Sequence, residues 1–327
     1  MTEVYQHRES NAILDNADKA LIYALDRNSR RSNSEIAKEI RVKKNLVGYR
    51  IKKLIDDDII LGFYSVVDTT ALGFEGYRVY LKWQYISPEK EKEIINFFVN
   101  AYSTWWVGSI EGEWDAGIIL WVKNAYKFRE FWLELMGKYQ KYIMKYLVCV
   151  YSKVFDFNYA FISPKEKPEK NTIEVGFDKK TEITETQEKI LKVISENSRM
   201  PTVEISKSLE LTPMIVKHNL KKLLKLQVIK GFRVRLNLEK LGYTYYKINF
   251  WLKDRSRYSE IMSYAQAHPN IIYVNETIGY ADFEAELLAE RHSQFQEILE
   301  EMSTIFGNTI KEKNYFVYNK IHKIKYY

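Results

Sequence analysis

One segment of this chain is written twice. Residues 51–63 read IKKLIDDDIILGF, and 169 residues later residues 220–232 read LKKLLKLQVIKGF. The same offset, without a gap, aligns Asn28-Ser29-Arg30 with Asn197-Ser198-Arg199. Chance does not keep two stretches in register over such a distance, and an undetected repeat misassigns a whole fold. The repeat therefore constrains the architecture more than any other feature.

The repeat continues into the second part of each unit. There the offset becomes 167, so that Gly112 matches Gly279 and Asp115 matches Asp282. A slip of two residues is what a change in loop length produces. The sequence predicts that the chain is a tandem duplication of a unit of about 150 residues.

Length, charge and cysteine content narrow the class of protein. At 327 residues with 46% hydrophobic residues, the chain is long enough for two or more domains. Its net charge of +7 permits an anionic partner but does not require one. The single cysteine, Cys149, excludes an intramolecular disulfide and every multi-cysteine metal site. Because there is no signal peptide and no long apolar run, we expect a soluble, cytoplasmic protein with no membrane partner and no cofactor.

The hydrophobic periodicity changes within each unit. Apolar residues from Leu21 to Ile55 recur at three- and four-residue spacing, which indicates three short helices before a β-hairpin. Signals for strand, helix, strand, strand, helix and strand follow, which is the ferredoxin-like order. We predict an α+β fold in which two winged helix-turn-helix domains alternate with two ferredoxin-like (βαββαβ) domains. The predicted boundaries are 12–66 and 183–235 for the winged helix-turn-helix domains, 75–160 and 244–327 for the ferredoxin-like domains, and 161–182 for an exposed linker.

The third helix of each helical part carries chemistry suited to the major groove of DNA. At 100° per residue, Val47, Ile51 and Ile55 fall within one apolar face, and the opposite face carries an amide, a phenol and ammonium groups. Such groups hydrogen-bond base edges and phosphates, although any exposed helix face can also carry lysines. The residues predicted to contact double-stranded DNA are Arg30, Arg31, Lys44, Asn45, Tyr49, Arg50, Lys52 and Lys53 in the first copy, and Thr212, Met214, Lys217, His218, Lys221 and Lys222 in the second.

The two copies differ where this helix ends. The first copy has Asp56 to Asp58, and the second has Lys225 to Gln227 at the same positions. Acid at a helix C-terminus is repelled by phosphate and disfavoured by the helix dipole. We therefore expect the two copies to hold DNA unequally, and whether both bind stays open.

These residues resemble a known family. The stretch NSEIAKEIRVKKNLVGYRIKKLIDDDIILGFYSVVDTTALGF is similar to the DNA-binding domain of Lrp/AsnC (feast/famine) transcriptional regulators. The matching positions are Val47, Arg50, Ile51, Leu54, Ile60, Gly62, Leu72 and Gly73. The chain departs from the pattern at Asp58, where the family has glycine, and in the second copy at Asn219 and Gln227, which replace the arginine and the glycine.

The resemblance implies a function for the strand-rich parts, which in this family sense ligands and form oligomers. The family's glycine-to-aspartate turn borders a site for small effectors such as amino acids. By resemblance, the effector-binding residues would be Gly112 and Asp115 in the first copy and Thr277, Gly279 and Asp282 in the second. The alternative is that these residues only form a hairpin turn. Family members are single units that pair, so the resemblance implies an intrachain pseudo-dimer that associates further as a homo-oligomer.

Three other functions stay open. Siroheme decarboxylases resemble this two-part organisation, but they need clustered histidines, and His7, His218, His268, His292 and His322 are dispersed. We find no catalytic motif and expect no enzyme activity. The many aromatic residues could stack on single-stranded nucleic acid, although core packing accounts for them as well. A co-regulator that acts through protein contacts, with weak DNA binding, is the third alternative.

Overall fold

A computed structural model of the protein describes residues 12–176 and 180–327, and it begins with the first helix-turn-helix unit. Its elements are α1 (Asn16–Arg27), α2 (Asn33–Ile40), α3 (Lys44–Asp56) and β1 (Ile60–Val67). The side chains of Asp15 and Ser32 cap α1 and α2 by accepting hydrogen bonds from the backbone N–H groups of Asp18 and Glu35. These caps satisfy amides that have no partner inside a helix, so both helices begin at defined residues.

The first strand-rich half follows directly. Its elements are β2 (Glu75–Trp83), α4 (Pro88–Asn100), β3 (Thr104–Glu111), β4 (Ala116–Val122), α5 (Ala125–Tyr139) and β5 (Ile143–Phe157), with short 3₁₀ turns at Gln140–Tyr142 and Ala160–Ile162. Ser87 caps α4, and Pro88 occupies the first helical position, where a missing N–H removes no hydrogen bond.

The second copy repeats this order. After β6 (Thr172–Val175) come α6 (Glu185–Glu196), α7 (Thr202–Ser208), α8 (Pro213–Lys225), β7 (Ile229–Leu236), β8 (Thr244–Leu252), α9 (Tyr258–Ala267), β9 (Ile271–Ile278), β10 (Phe283–Ala289), α10 (His292–Phe306) and β11 (Ile310–Ile324). Each element except β6 has a counterpart in the first copy, which agrees with the predicted duplication.

The strand after each third helix pairs with its counterpart from the other copy. β1 and β7 form a two-stranded antiparallel ribbon in which Tyr64 lies opposite Arg233, and these two residues occupy equivalent positions of the repeat. The flanking pairs are reciprocal, since Phe63 lies opposite Val234 and Ser65 opposite Phe232. A local twofold axis therefore passes between the two strands. This corrects the expected hairpin: among residues 12–176, β1 has no return strand in its own unit, because the chain continues from β1 into the other sheet.

Eight strands of the described chain close into one barrel. The sheet of the first half has the order β5-β2-β4-β3, that of the second half has the order β11-β8-β10-β9, and the halves join through β3 with β11 and β5 with β9. The helices α4, α5, α9 and α10 cover the outside with their apolar faces. The two predicted ferredoxin-like units are thus two sides of one β-barrel, and β6 adds to β5 outside the ring.

A cluster of charged side chains lies inside the barrel. Arg78 on β2, Lys247 on β8, and Glu284 and Glu286 on β10 alternate with residues that face the helices, so they point inward. The Arg78 guanidinium donates to Glu284, and the Lys247 ammonium lies 2.8 Å from Glu284 and 3.1 Å from Glu286. Since two cations face two carboxylates, the cluster carries no net charge.

The cluster joins the two halves of the duplication. Arg78 belongs to the first copy and Glu284 to the second, and both side chains are buried. Burial alone would raise the pKa of Glu284, but the charges of Arg78 and Lys247 lower it to about 2. Thr277 and Asn275 donate further hydrogen bonds to the two carboxylates. Removing one member of such a buried set leaves an uncompensated charge, which is costly.

A second buried ion cluster connects the barrel to the helix-turn-helix units. Arg233 on β7 donates to the carbonyl oxygen of Asp26 at 2.9 Å, and its other terminal nitrogen lies 3.3 Å from the carboxylate of Asp156 on β5. Burial raises the pKa of Asp156 to about 6. Arg233 therefore holds α1, β7 and the barrel together. Tyr326, which follows β11, stacks on Tyr64 of β1 with ring centroids 4.0 Å apart.

The predicted linker, 161–182, is more ordered than expected. Part of it forms β6, whose β-branched residues suit a strand. The half-buried Lys170 side chain donates from its ammonium group to the carbonyl oxygens of Ala265 and His268, at 2.7 and 2.6 Å, where α9 ends. Burial lowers the pKa of Lys170 to about 7. Residues 177–179 of the linker lie outside the described residues.

Across residues 12–176 and 180–327, no helix combines the length and the apolar character that crossing a membrane requires.

We predict that Glu284→Gln lowers the free energy of unfolding by about 3–5 kcal/mol, because it leaves Arg78 and Lys247 facing one carboxylate. Denaturant titration at neutral pH measures this, and Glu300→Gln on the exposed face of α10 is the matched control, with a change below about 0.5 kcal/mol. The pKa of Glu284 is lower in the folded state than in the unfolded one. Its stabilising effect is therefore complete above about pH 5 and declines as the pH falls towards its folded pKa of about 2. Equal unfolding free energies for the two variants would contradict this account of the cluster.

Candidate nucleic-acid interface

The third helix of the first copy presents a polar face to solvent. Val47, Ile51 and Leu54 are buried against α1, α2 and β1, which fixes the orientation of α3. Lys44, Asn45, Lys52 and Lys53 are exposed, and so is Tyr49, with 66% of its surface accessible. Ile55 was expected on the apolar face, but 42% of its surface is exposed. It lies one residue before the end of α3.

The equivalent helix of the second copy presents a similar face. Val216, Leu220 and Leu223 are buried, while Met214 is 81% exposed at the first turn. The Thr212 hydroxyl caps α8 by accepting from the N–H of Ile215 at 3.3 Å, and Pro213 is its first residue. The other exposed residues of this face are Lys217, His218, Lys221 and Lys222.

The lysines of these two faces are available for an external anion. No carboxylate in the described part of the chain pairs with Lys44, Lys52 or Lys53 on α3, and the same holds for the lysines of α8. The aspartates after α3 are exposed too, and Asp58 is 3.9 Å from Lys240. The first face is therefore less basic than the second at the end of its helix.

Arg30 has a different position from the one predicted. Its guanidinium donates to the carbonyl oxygens of Ser198 and Met200 in the second copy, at 2.6 and 3.2 Å. The equivalent Arg199 reciprocates by donating to the carbonyl oxygens of Ser29 and Arg31. Burial lowers the pKa of both arginines. Arg30 thus joins the two helix-turn-helix units instead of facing a phosphate.

The contact between the two units is completed by serines. The hydroxyl groups of Ser29 and Ser198 lie 2.6 Å apart and are buried. The N–H of Ser29 donates to the carbonyl oxygen of Phe232, and the N–H of Ser198 donates to that of Phe63, at 3.1 and 3.0 Å. The Asn-Ser-Arg motif that the repeat keeps is therefore an interface motif, which we name the Ser-Arg clamp.

Two further arginines are engaged within the protein. Arg31 pairs with Glu39 of α2. Arg50 on α3 lies 2.8 Å from Asp15 and 2.6 Å from Asp18, at the start of α1. Both were predicted to contact DNA, but their guanidinium groups neutralise carboxylates of neighbouring helices. The structure therefore favours the lysines, Asn45 and Tyr49 as the groups that are open to a nucleic acid.

The two predicted effector turns lie at β-hairpins, and their aspartates bind the backbone. Asp115 accepts from the N–H of Trp83 at 2.7 Å, and its other oxygen is 2.6 Å from the Lys82 ammonium. Asp282 accepts from the N–H of Leu252 at 2.8 Å, the equivalent bond in the second copy. The turn glycines need their small size: Gly112 and Gly279 have φ of +134° and +104°. This geometry accounts for the glycine-to-aspartate spacing without a ligand.

A surface pocket of about 520 Å³ opens beside the first of these turns. It is lined by Trp83, Gln84, Tyr85, Ile86, Glu91, Ser109, Ile110, Asp115 and Asn319. Asp282 does not line this pocket, although its backbone contact is equivalent to that of Asp115. Thr277 points elsewhere, because its hydroxyl donates to Glu284 inside the barrel.

The histidines lie in separate places. His218 is on the exposed face of α8. His268 is half-buried after α9, and its partial burial lowers its pKa to about 4. His322 on β11 lies 2.8 Å from the hydroxyl of Ser109. His292 begins α10 and contacts Tyr246. His7 lies outside the described residues. Among the described residues, no group of three or more histidine, cysteine or carboxylate side chains is arranged to hold a metal ion.

The Ser-Arg clamp and both buried ion clusters were not predicted from the sequence. The usable signal for the clamp is the recurrence of Ser29-Arg30 as Ser198-Arg199 in the repeat. Arg78, Lys247 and Glu284 alternate with apolar residues, a pattern that in an open sheet indicates a solvent-facing side. Closure of the barrel turns that side into an interior.

Comparison with known proteins identifies the units that carry these helices. The family described as winged helix-turn-helix DNA-binding matches residues 14–60 and 183–230. The HTH-type transcriptional regulator Ptr1 of Methanocaldococcus jannaschii is 30% identical over 127 residues, which cover 39% of this chain and 79% of that protein. The solved structure of Escherichia coli AsnC is 17% identical to this chain, with a TM-score of 0.39. The match covers 43% of this chain and 94% of the AsnC chain.

Another solved protein is similar over most of the chain. The siroheme decarboxylase NirDL covers 95% of this chain and 93% of its own, with a TM-score of 0.64 and 14% identity. At that identity the similarity shows that the folds agree.

We predict that Arg199→Ala and Arg30→Ala each lower the free energy of unfolding by about 1.5–3 kcal/mol, because each removes hydrogen bonds from a charged donor to buried carbonyl groups. Arg129→Ala, at an exposed position of α5, is the control. If DNA binding is measured as well, Arg30→Ala should leave the slope of log K against log salt unchanged. A slope smaller by about 0.9, with unchanged stability, would mean that Arg30 contacts a phosphate after all.

Proposed function

We propose that this chain, which belongs to the HTH-type transcriptional regulators as a tandem Lrp/AsnC-like protein, binds double-stranded DNA sequence-specifically through α3 and α8. The observation that carries the proposal is the pair of exposed faces on these helices, whose lysines have no carboxylate partner among the described residues. Unpaired lysines supply the phosphate contacts on which affinity depends, and Asn45, Tyr49 and His218 supply groups for base edges.

We predict that Lys52→Glu and Lys221→Glu each weaken binding to a selected operator by at least tenfold, because each removes a phosphate contact and adds repulsion. Fluorescence anisotropy at several salt concentrations measures both the affinity and the salt slope. Lys92→Glu, an exposed lysine of α4 on the barrel, makes the same change in net charge and serves as the control.

Equal weakening by all three variants would show that only the net charge matters. Unchanged affinity with Lys52→Glu and Lys221→Glu would show that α3 and α8 do not bind DNA. Binding by the wild type that shows no preference for sequence would favour the co-regulator alternative, in which protein contacts direct the regulator to its genes.

We also propose that a small effector, such as an amino acid, binds in the surface pocket beside Asp115. The pocket volume of about 520 Å³ is ample for such a molecule, and the carboxylates of Glu91 and Asp115 line it. Lys82 and the N–H of Trp83 already hold the Asp115 carboxylate, so the Glu91 carboxylate is the group that suits the ammonium group of an amino acid. Aromatic residues from the end of β2 supply an apolar wall.

We predict that one or a few amino acids raise the melting temperature of the wild-type protein. A ligand that binds only the folded state increases the free energy of unfolding by about 2.7 kcal/mol when its concentration is a hundred times its Kd. Asp115→Asn should reduce this rise. The matched control is Asp282→Asn, which alters the equivalent backbone contact away from the pocket. If both variants reduce the rise equally, the effect comes from the turns and not from the pocket.

We further propose that the chain has no decarboxylase activity, although its fold agrees with that of NirDL. The support is the dispersal of His218, His268, His292 and His322 over separate elements. An iron porphyrin belongs in the same thermal screen, because strong stabilisation and a shifted absorption band would revive the enzyme alternative.

We also propose that chains associate as homo-oligomers. Leu133, Met144 and Tyr146, which are half-exposed on the outside of the barrel, supply apolar surface for this association.

A further inference from the structure

We infer that one chain reads an operator made of two inverted half-sites whose base sequences differ, so that the protein binds DNA in one preferred direction. The inference rests on the proposed function, because it requires that α3 and α8 both contact DNA. It assigns the two third helices different base preferences on a common symmetric scaffold.

The scaffold is symmetric because its contacts are reciprocal. β1 pairs with β7 about the equivalent residues Tyr64 and Arg233, and each arm of the Ser-Arg clamp is matched by the other. The same local twofold axis therefore relates α3 to α8. Two recognition helices related by a twofold axis suit half-sites that are inverted with respect to each other, as in symmetric dimers.

The spacing of the two helices is fixed by buried contacts. The hydroxyl groups of Ser29 and Ser198 are buried against each other, and Arg233 connects the ribbon to the barrel through Asp156. A helix pair joined by a flexible tether would accept half-sites at many separations. A pair joined by an antiparallel ribbon and buried hydrogen bonds accepts one separation.

Two positions suited to phosphate are shared by both helices. Lys52 and Lys53 of α3 correspond to Lys221 and Lys222 of α8, and all four are exposed. Phosphate contacts fix the position of a protein on the duplex and carry no direct sequence information. The two helices therefore resemble each other in how they hold the DNA backbone.

The positions suited to base edges differ. Asn45 corresponds to Met214 and Tyr49 to His218, one helical turn apart on the exposed faces. An asparagine amide can pair with the N6 and N7 atoms of adenine, whereas a methionine side chain offers apolar contact, which suits the thymine methyl group. Identical half-sites cannot satisfy both helices, so the best operator is not a palindrome.

The ends of the helices add a difference in strength. Asp56 and Asp57 of the first copy stand where Lys225 and Leu226 stand in the second. Carboxylates near phosphate oppose binding, so the half-site under α8 is held more tightly than that under α3. Bound in this way, the protein distinguishes one side of its operator from the other.

Selection from a random duplex library tests the inference on the full chain. The wild type should enrich two inverted blocks of different sequence at one fixed separation. The double variant Asn45→Met/Tyr49→His places the exposed residues of α8 on α3 and leaves buried residues untouched. It should enrich a more nearly palindromic sequence, and Met214→Asn/His218→Tyr should do the same with the other block.

The outcomes separate this inference from the proposed function. No enriched sequence with the wild type would overturn the proposed function. A palindrome enriched by the wild type, or blocks at variable separation, would overturn the inference and leave sequence-specific binding intact. A wild-type asymmetry that both double variants preserve would also overturn it, because the asymmetry would then arise from other residues. Thermal melting confirms that both variants are folded.

Discussion

The antiparallel pairing of β1 with β7 is the constraint on which the rest of the structure depends. In the part of the chain that the structure describes, each strand lacks a partner in its own unit, so neither helix-turn-helix unit satisfies its backbone hydrogen bonds alone. The core of the first unit includes Val234 and Leu236 from the second, and the core of the second includes Val67 from the first. The duplicated chain therefore folds as an intertwined pair, and the Ser-Arg clamp closes the contact on the side of the helices.

The barrel is the second level of the same pairing. Its halves join along two seams, and the cluster of Arg78, Lys247, Glu284 and Glu286 crosses between them with balanced charge. Arg233 links this barrel to the ribbon, because it contacts Asp156 of β5 as well as α1. A change of strand position in the barrel would therefore alter the support under the ribbon.

The sequence predicted the duplication, the order of elements and the exposed faces of α3 and α8, because all three depend on local spacing. It did not predict which side chains the partner copy would cover. Arg30 and Arg50 are residues of a type that binds phosphate. Arg30 instead donates to carbonyl groups across the local axis, and Arg50 pairs with a carboxylate of α1. The alternation around Arg78 and Glu284 suggested a solvent-facing side, since nothing local indicates that two sheets close into a ring. Contacts between distant segments decide these positions, and a single sequence carries no record of them.

The Gly-Asp turns show how a family motif can have a structural basis. Asp115 and Asp282 accept equivalent backbone hydrogen bonds in both copies, whether or not a pocket lies beside them. The signal that distinguishes the copies is therefore the surroundings of the turn and not the motif. The same holds for the third helices, where the residues that the copies share support the fold and the backbone contacts, and the residues that differ carry the expected specificity.

The central claim is that the two helix-turn-helix units act on DNA as one rigid pair. Hydroxyl-radical footprinting of the wild-type protein on a selected operator tests this claim most directly. Two recognition helices in successive major grooves on one face of the duplex should protect two blocks of backbone about one helical turn, 10–10.5 base pairs, apart. A single protected block, or two blocks on opposite faces of the duplex, would contradict the account.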